Sequence, residues 1–242
     1  MTFFAAVFAV AVLSGATASL VGFGIGSMLT PLLALQVGTD LAVAAVALPH
    51  AFATGLRCWR LRHAIDRDVL KSFGLLSAAG GLAGAFAYSQ LDAAALTRVL
   101  GGLLVLTAVA QLSGLASRWH PRGAVVGVVG LASGFFGGIA GNQGGLRAAA
   151  LAAFRLSPLA FVATSTATGL MVDAARAPVY LYTAGAELRS LWIPITVATI
   201  GVLVGTILGE RVLLGMPRDR FARLVAVAIG VLGLWLLTST YW

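Results

Sequence analysis

Apolar stretches recur along this chain at about 3–21, 41–56, 71–89, 96–115, 123–140, 159–182, 190–209 and 221–240. Most approach the roughly 20 residues that an α-helix needs to cross the hydrocarbon core of a bilayer. Charged or polar punctuation separates most of them, most plainly the run from Arg57 to Asp68. Only 10% of the residues are charged and the mean hydropathy is +0.98. A soluble domain carries about 25% charged residues, so too few charges remain here to solvate a globular surface. Backbone in hydrocarbon must satisfy its own hydrogen bonds, so each stretch predicts a helix. The expected fold class is an all-α integral membrane protein of about eight transmembrane helices with almost no soluble domain.

The formal net charge is +8. No basic stripe interleaves with aromatic residues, so nucleic acid is not expected as a partner. The cations instead read as loop residues beside a lipid bilayer. With eight spans, Arg57, Arg60, Arg62, Arg67, Lys71, Arg118, Arg122 and Arg189 fall on one face, and Arg155, Arg211, Arg218 and Arg220 on the other, with Arg98 and Arg223 close by. That excess predicts a bacterial-type inner (plasma) membrane protein with both termini cytoplasmic. The N-terminal run has no Lys or Arg before its apolar part, so it reads as the first span rather than a signal peptide. The single Cys58 excludes an intrachain disulfide and a cysteine metal cage, and neither cofactor nor metal is expected.

Two stretches are not ordinary spans: Val21 to Pro31, and Gly134 to Arg147. Their density of glycine should break the helix or let backbones approach closely. The two also align with each other. Ala18-Ser-Leu-Val-Gly-Phe-Gly-Ile-Gly matches Ala132-Ser-Gly-Phe-Phe-Gly-Gly-Ile-Ala, and Asp66-Arg-Asp-Val-Leu70 matches Glu187-Leu-Arg-Ser-Leu191. Gly80 and Gly84 match Gly201 and Gly205 at that second offset. The chain therefore reads as two homologous four-helix repeats, 1–116 and 122–242, joined by a linker at 117–121, with glycine-rich breaks in the first and fifth helices. Transporters built from repeats hold substrate where the repeats meet, at broken helices whose N-terminal ends favour an anion. On that reading Gly22, Gly24, Gly26, Ser27 and Thr30 are candidate substrate-binding positions in the first stretch. Gly138, Gly141, Asn142, Gln143, Gly144 and Arg147 are their counterparts in the second. The competing reading is close helix packing through Gly-x-x-x-Gly patterns. It is favoured for Gly80…Gly84 and for Gly201…Gly205…Gly209.

An ionisable group inside a span is costly and therefore a candidate for function. Arg147 can hold an anion, or can snorkel from the end of a short helix. Asp173 and Arg176 share one helix face and can pair, either to fix two helices or to gate and couple transport. His50 is a structural hydrogen-bonding group or the carrier of a coupling proton. Thr164, Ser165 and Thr166 can donate hydroxyls to an oxyanion or bond between helices.

The glycine stretches resemble those of the TauE/SafE sulfite exporter family of membrane transporters. Each half of that family opens with a G-x-G-G-G-x-x-x-x-P-L-L-like motif. Gly22-Phe-Gly-Ile-Gly-Ser-Met-Leu-Thr-Pro-Leu-Leu33 is similar to it, with Gly-Ile-Gly-Ser in place of three adjacent glycines. The second copy, Gly137-Gly-Ile-Ala-Gly-Asn-Gln-Gly-Gly-Leu-Arg147, lacks the proline and adds an amide pair and a cation. The resemblance covers essentially the whole chain. It implies secondary transport of a small anion, sulfite or an organosulfonate, with a proton or sodium as candidate coupling ion. A homo-oligomer stays open.

Two other functions compete with this reading. An anion channel, or a permease for another small solute, fits the same spans. An intramembrane enzyme fits least, because no H-E-x-x-H, G-x-S-x-G or carboxylate pair stands within them.

Overall fold

The computed structural model describes residues 2–22, 24–114, 121, 123–141, 144–212 and 218–238. Among these residues the chain is all-helical and contains no strand. In chain order the helices are α1 (Thr2–Val21), α2 (Ile25–Val37), α3 (Thr39–Leu61), α4 (Arg67–Tyr88), α5 (Ala93–Leu112), α6 (Ala124–Ala140), α7 (Gly144–Leu151), α8 (Pro158–Ser190), α9 (Trp192–Val212) and α10 (Arg218–Thr238). A π-helical turn, Leu70–Gly74, lies inside α4. Among the described residues five helices are long and apolar enough to cross a membrane: α1, α3, α4, α5 and α9. Large apolar side chains stand exposed along their flanks, among them Phe52, Phe86, Leu106 and Ile200, and on α6 and α10 as well, at Val128, Val231 and Leu234. Exposed apolar surface on this scale suits lipid rather than water.

Short polar residues start several helices. Asp92 accepts from the Ala95 N–H at 2.7 Å, and Ser157 accepts from the Ala160 N–H at 3.3 Å ahead of Pro158. Asp66 accepts from the N–H groups of Asp68 and Val69. These bonds satisfy donors that a helix start leaves orphaned.

The helices pair across the chain reciprocally. α1 packs on α9, and α6 packs on α4; α3 packs on α8, and α5 on α10. Glycine makes the first two contacts possible. A Cβ at Gly15 or Gly205 would collide with the carbonyl oxygen of Val202 or Val12, respectively, across the α1–α9 contact. A Cβ at Gly80, Gly134 or Gly138 would collide with the carbonyl oxygen of Leu131, Ser77 or Gly81 across the α4–α6 contact. Backbones meet here without side chains between them, as small residues allow in membranes.

Two boundaries differ from the sequence expectation. Arg57 was assigned to a loop, but α3 continues through Leu61 and buries it at 5% exposure. The charges at Arg60 and Arg62 had made the whole run look aqueous. The break expected at Glu187–Arg189 falls instead at Leu191, because α8 runs to Ser190, with a kink at Ala184 (φ −130°, ψ 16°).

Candidate functional site

α3 and α8 carry most of the buried polar residues. α3 brings His50, Thr54 and Arg57 along one face, at i, i+4 and i+7. α8 brings Ser165, Asp173, Arg176 and Tyr180. All of them are buried, and together they meet the ends of α1 and α6.

The end of α1 is held by two arginines. α1 stops at Val21; Gly22 (φ +87°) and Gly24 (φ +135°) follow before α2 begins at Ile25. Such φ values suit glycine and strain any other residue. Arg57 donates from Nη1 to the carbonyl of Ala18. Arg147 on α7 donates from Nη2 to the carbonyl of Gly22 at 3.5 Å and from Nε to Ser165 Oγ at 3.0 Å. The Gly22 N–H itself bonds the Ala18 carbonyl at 3.1 Å. The two guanidinium groups thus flank Gly22 and repel each other.

The end of α6 is held in a related way. Gly141 (φ +68°) follows α6 and returns its N–H to the Gly137 carbonyl at 3.0 Å. Arg176 donates to that same carbonyl from Nη1 at 2.6 Å, and the Tyr180 hydroxyl donates to the carbonyl of Gly138. Ala18 lies three residues before the end of α1, and Gly137 three before the end of α6. Each arginine stands 39 residues after the carbonyl that it caps.

The two ends differ in charge. Asp173 Oδ1 accepts from Arg176 Nη2 at 2.8 Å and from Nε at 3.1 Å. Its other oxygen, Oδ2, lies 2.6 Å from His50 Nδ1. At the α1 end, the position corresponding to Asp173 is Thr54, which carries no charge. Among the described residues no carboxylate forms an ion pair with Arg57 or Arg147. Three buried guanidiniums therefore face one carboxylate. Arg57 Nε, Arg147 Nη1, Thr30 Oγ1 and Thr168 Oγ1 are buried with no hydrogen-bond partner among the described residues. Buried cations with unused N–H donors are chemically suited to an anion.

The residues read from the sequence distribute as follows. Gly22 and Arg147 are in direct contact, and Ser165 completes the grip on Arg147. Gly24, Gly26, Ser27 and Thr30 are buried at the start of α2. Gly141 and Gly144 flank the α6–α7 turn, whereas Gly138 packs against α4. Thr164 Oγ1 accepts from the Asp66 N–H at 2.9 Å and so ties α8 to the start of α4; Thr166 is buried nearby on α8. Asn142 and Gln143 lie outside the described residues. Sequence reasoning missed Arg57, Thr54 and Tyr180. The i, i+4, i+7 spacing of His50, Thr54 and Arg57 was the pattern that could have found the first two.

A family model, Sulfite exporter TauE/SafE, matches residues 7–236. The chain belongs to this family. The TauE/SafE family is one of membrane transporters, and its members carry sulfite or related anions. Neither curated proteins nor solved structures give a match. The exposed apolar helices and the buried arginines accord with a multi-pass membrane protein that handles a small anion.

Proposed function

We propose that this protein is a secondary transporter of sulfite or an organosulfonate, with its substrate held between α1, α2, α7 and α8. The observation that carries the reading is the excess, among the described residues, of buried guanidinium over carboxylate at the end of α1, with Arg57 Nε and Arg147 Nη1 unpartnered there. An unpaired buried charge is expensive, and an anion offsets that cost.

The architecture proposed is two four-segment repeats, 1–116 and 122–242, crossing the membrane about eight times. The reciprocal packing of α1 on α9 and α6 on α4 supports it, as does the 39-residue spacing shared by the two arginine caps. The glycine-rich turns after α1 and α6 are then the helix breaks of the two repeats. Residues at these turns, with Ser165 and Arg147, contact substrate. His50, Asp173 and Arg176 couple or gate its movement. The excess of loop cations on one face survives the removal of Arg57, and it favours cytoplasmic termini in an inner membrane.

The test is a thermal-shift screen of the purified protein against sulfite, sulfate, thiosulfate, sulfoacetate, taurine and halides. A ligand of the folded state raises apparent stability. Stabilisation by a sulfur oxyanion that is absent in Arg147→Gln supports the reading; a flat response to every anion overturns it.

A further inference from the structure

We infer that Arg57 is a second anion-binding residue, and that it sets the charge of the substrate by making the site selective for a divalent oxyanion over a monovalent sulfonate. The inference rests on the anion-site reading above and adds to it a residue and a valence.

Arg176 and Arg57 perform the same local task, donating to a carbonyl one turn from a helix end, 39 residues back in the chain. Arg176 brings its own counter-charge, Asp173, at 2.8 Å on its own helix. Three residues before Arg57 stands Thr54 instead. Capping a carbonyl therefore does not account for leaving Arg57 uncompensated, since the other cap is compensated.

The second observation is where the uncompensated charge lies. Ala18 and Gly22, the acceptors of Arg57 and Arg147, are four residues apart at the C-terminal end of α1. The two guanidiniums feel each other directly. Arg57 is 5% exposed and Arg147 4%, and among the described residues neither Arg57 Nε nor Arg147 Nη1 has a hydrogen-bond partner. Both donors are charge-assisted, the kind of hydrogen bond that a carboxylate or an oxyanion accepts best. A monovalent sulfonate neutralises one of these two cations and leaves the other buried and bare. A dianion neutralises both.

Sulfate and methanesulfonate form the discriminating pair, because one replaces an oxygen of the other by a methyl group and changes the charge with little change of size. The experiment titrates the purified full chain at mildly alkaline pH with sulfite, sulfate, thiosulfate and methanesulfonate; the first three are then dianions. The wild type is expected to bind its preferred dianion at least about tenfold more tightly than methanesulfonate. Arg57→Gln is expected to lose at least about tenfold in dianion affinity and to lose clearly less in methanesulfonate affinity. Arg57→Lys keeps the charge and keeps the preference.

Equal wild-type affinities for the two charge classes overturn the inference, as does an Arg57→Gln variant that weakens both by the same factor. The wild-type ratio is read without any variant, so a poorly folding Arg57→Gln does not protect the inference. Binding of methanesulfonate alone sinks the divalent selectivity and leaves the anion site standing. Binding of no anion at all removes both.

Discussion

Nδ1 of His50 lies 2.6 Å from Oδ2 of Asp173, which joins α3 to α8 across 123 residues of sequence. The same carboxylate also holds Arg176. A histidine gains or loses a charge as pH changes, and this one interacts with Asp173, Arg176 and Arg57. Protonated, it adds a third uncompensated cation to a site that already has Arg57 and Arg147. Neutral, it leaves those two.

The sign of the pH dependence follows. Anion affinity is highest at low pH, where His50 carries its proton, and falls as pH rises through its titration. His50→Asn removes the titrating group and is expected to flatten that fall. Sulfate flux into proteoliposomes from mildly acidic to mildly alkaline pH measures it, since sulfate keeps its charge throughout. An unchanged pH profile in the variant returns His50 to a purely structural bond with Asp173.

Arg147 is reached from two directions, and the second direction gives a prediction that leaves the arginine in place. A Cβ at Gly169 on α8 would stand 2.8 Å from Arg147 Nη1, closer than atoms normally approach. Gly169→Ala therefore pushes Nη1 away from its present position. Arg147→Gln is expected to lower anion affinity at least about tenfold, the value of a lost charge-assisted hydrogen bond. Gly169→Ala should weaken binding in the same direction and by less. A ligand titration monitored by thermal shift resolves both; undiminished binding in both variants excludes Arg147 from the site.

Asp173 compensates Arg176 and accepts from His50, and its removal leaves a guanidinium buried at 1% exposure with no carboxylate. Breaking a buried pair by deleting one partner costs about 3–5 kcal/mol. Asp173→Asn should therefore destabilise the protein strongly, with or without anion present. Denaturant unfolding in detergent measures the loss. A change below about 1 kcal/mol, the scale of an exposed ion pair, would show that the pair is solvated.

The helical class and most spans were legible because hydrocarbon demands long apolar helices, and the composition supplies them. Arg147, Asp173, Arg176 and His50 were legible as charges out of place. Arg57 was not, for a physical reason: it opens a charged run that continues through Arg60 and Arg62, and its bond to the Ala18 carbonyl on α1 is a tertiary contact across 39 residues that no local pattern shows. The pairing of His50 with Asp173 was equally invisible, since helix periodicity places residues on a face but not opposite a particular partner. Gly138 shows the same limit from the other side. Its neighbours suggested a helix break, yet the chain remains helical to Ala140, and the glycine's role at that position is to admit α4.

That distinction between packing glycines and idle ones can be measured. A Cβ at Gly134 would collide with the carbonyl of Ser77, a backbone atom that cannot rotate away. Gly134→Ala must separate α6 from α4, and overpacking of this kind costs about 1–3 kcal/mol. Gly102 on α5 has nothing within 4 Å of its would-be Cβ, and it sits inside a helix. Gly102→Ala should instead stabilise by about 0.4–1 kcal/mol, through a less flexible unfolded chain. Opposite signs in paired unfolding measurements are the expected result. Equal effects would mean that α4 and α6 do not meet backbone to backbone, and the reciprocal contact of α1 with α9 would lose its counterpart.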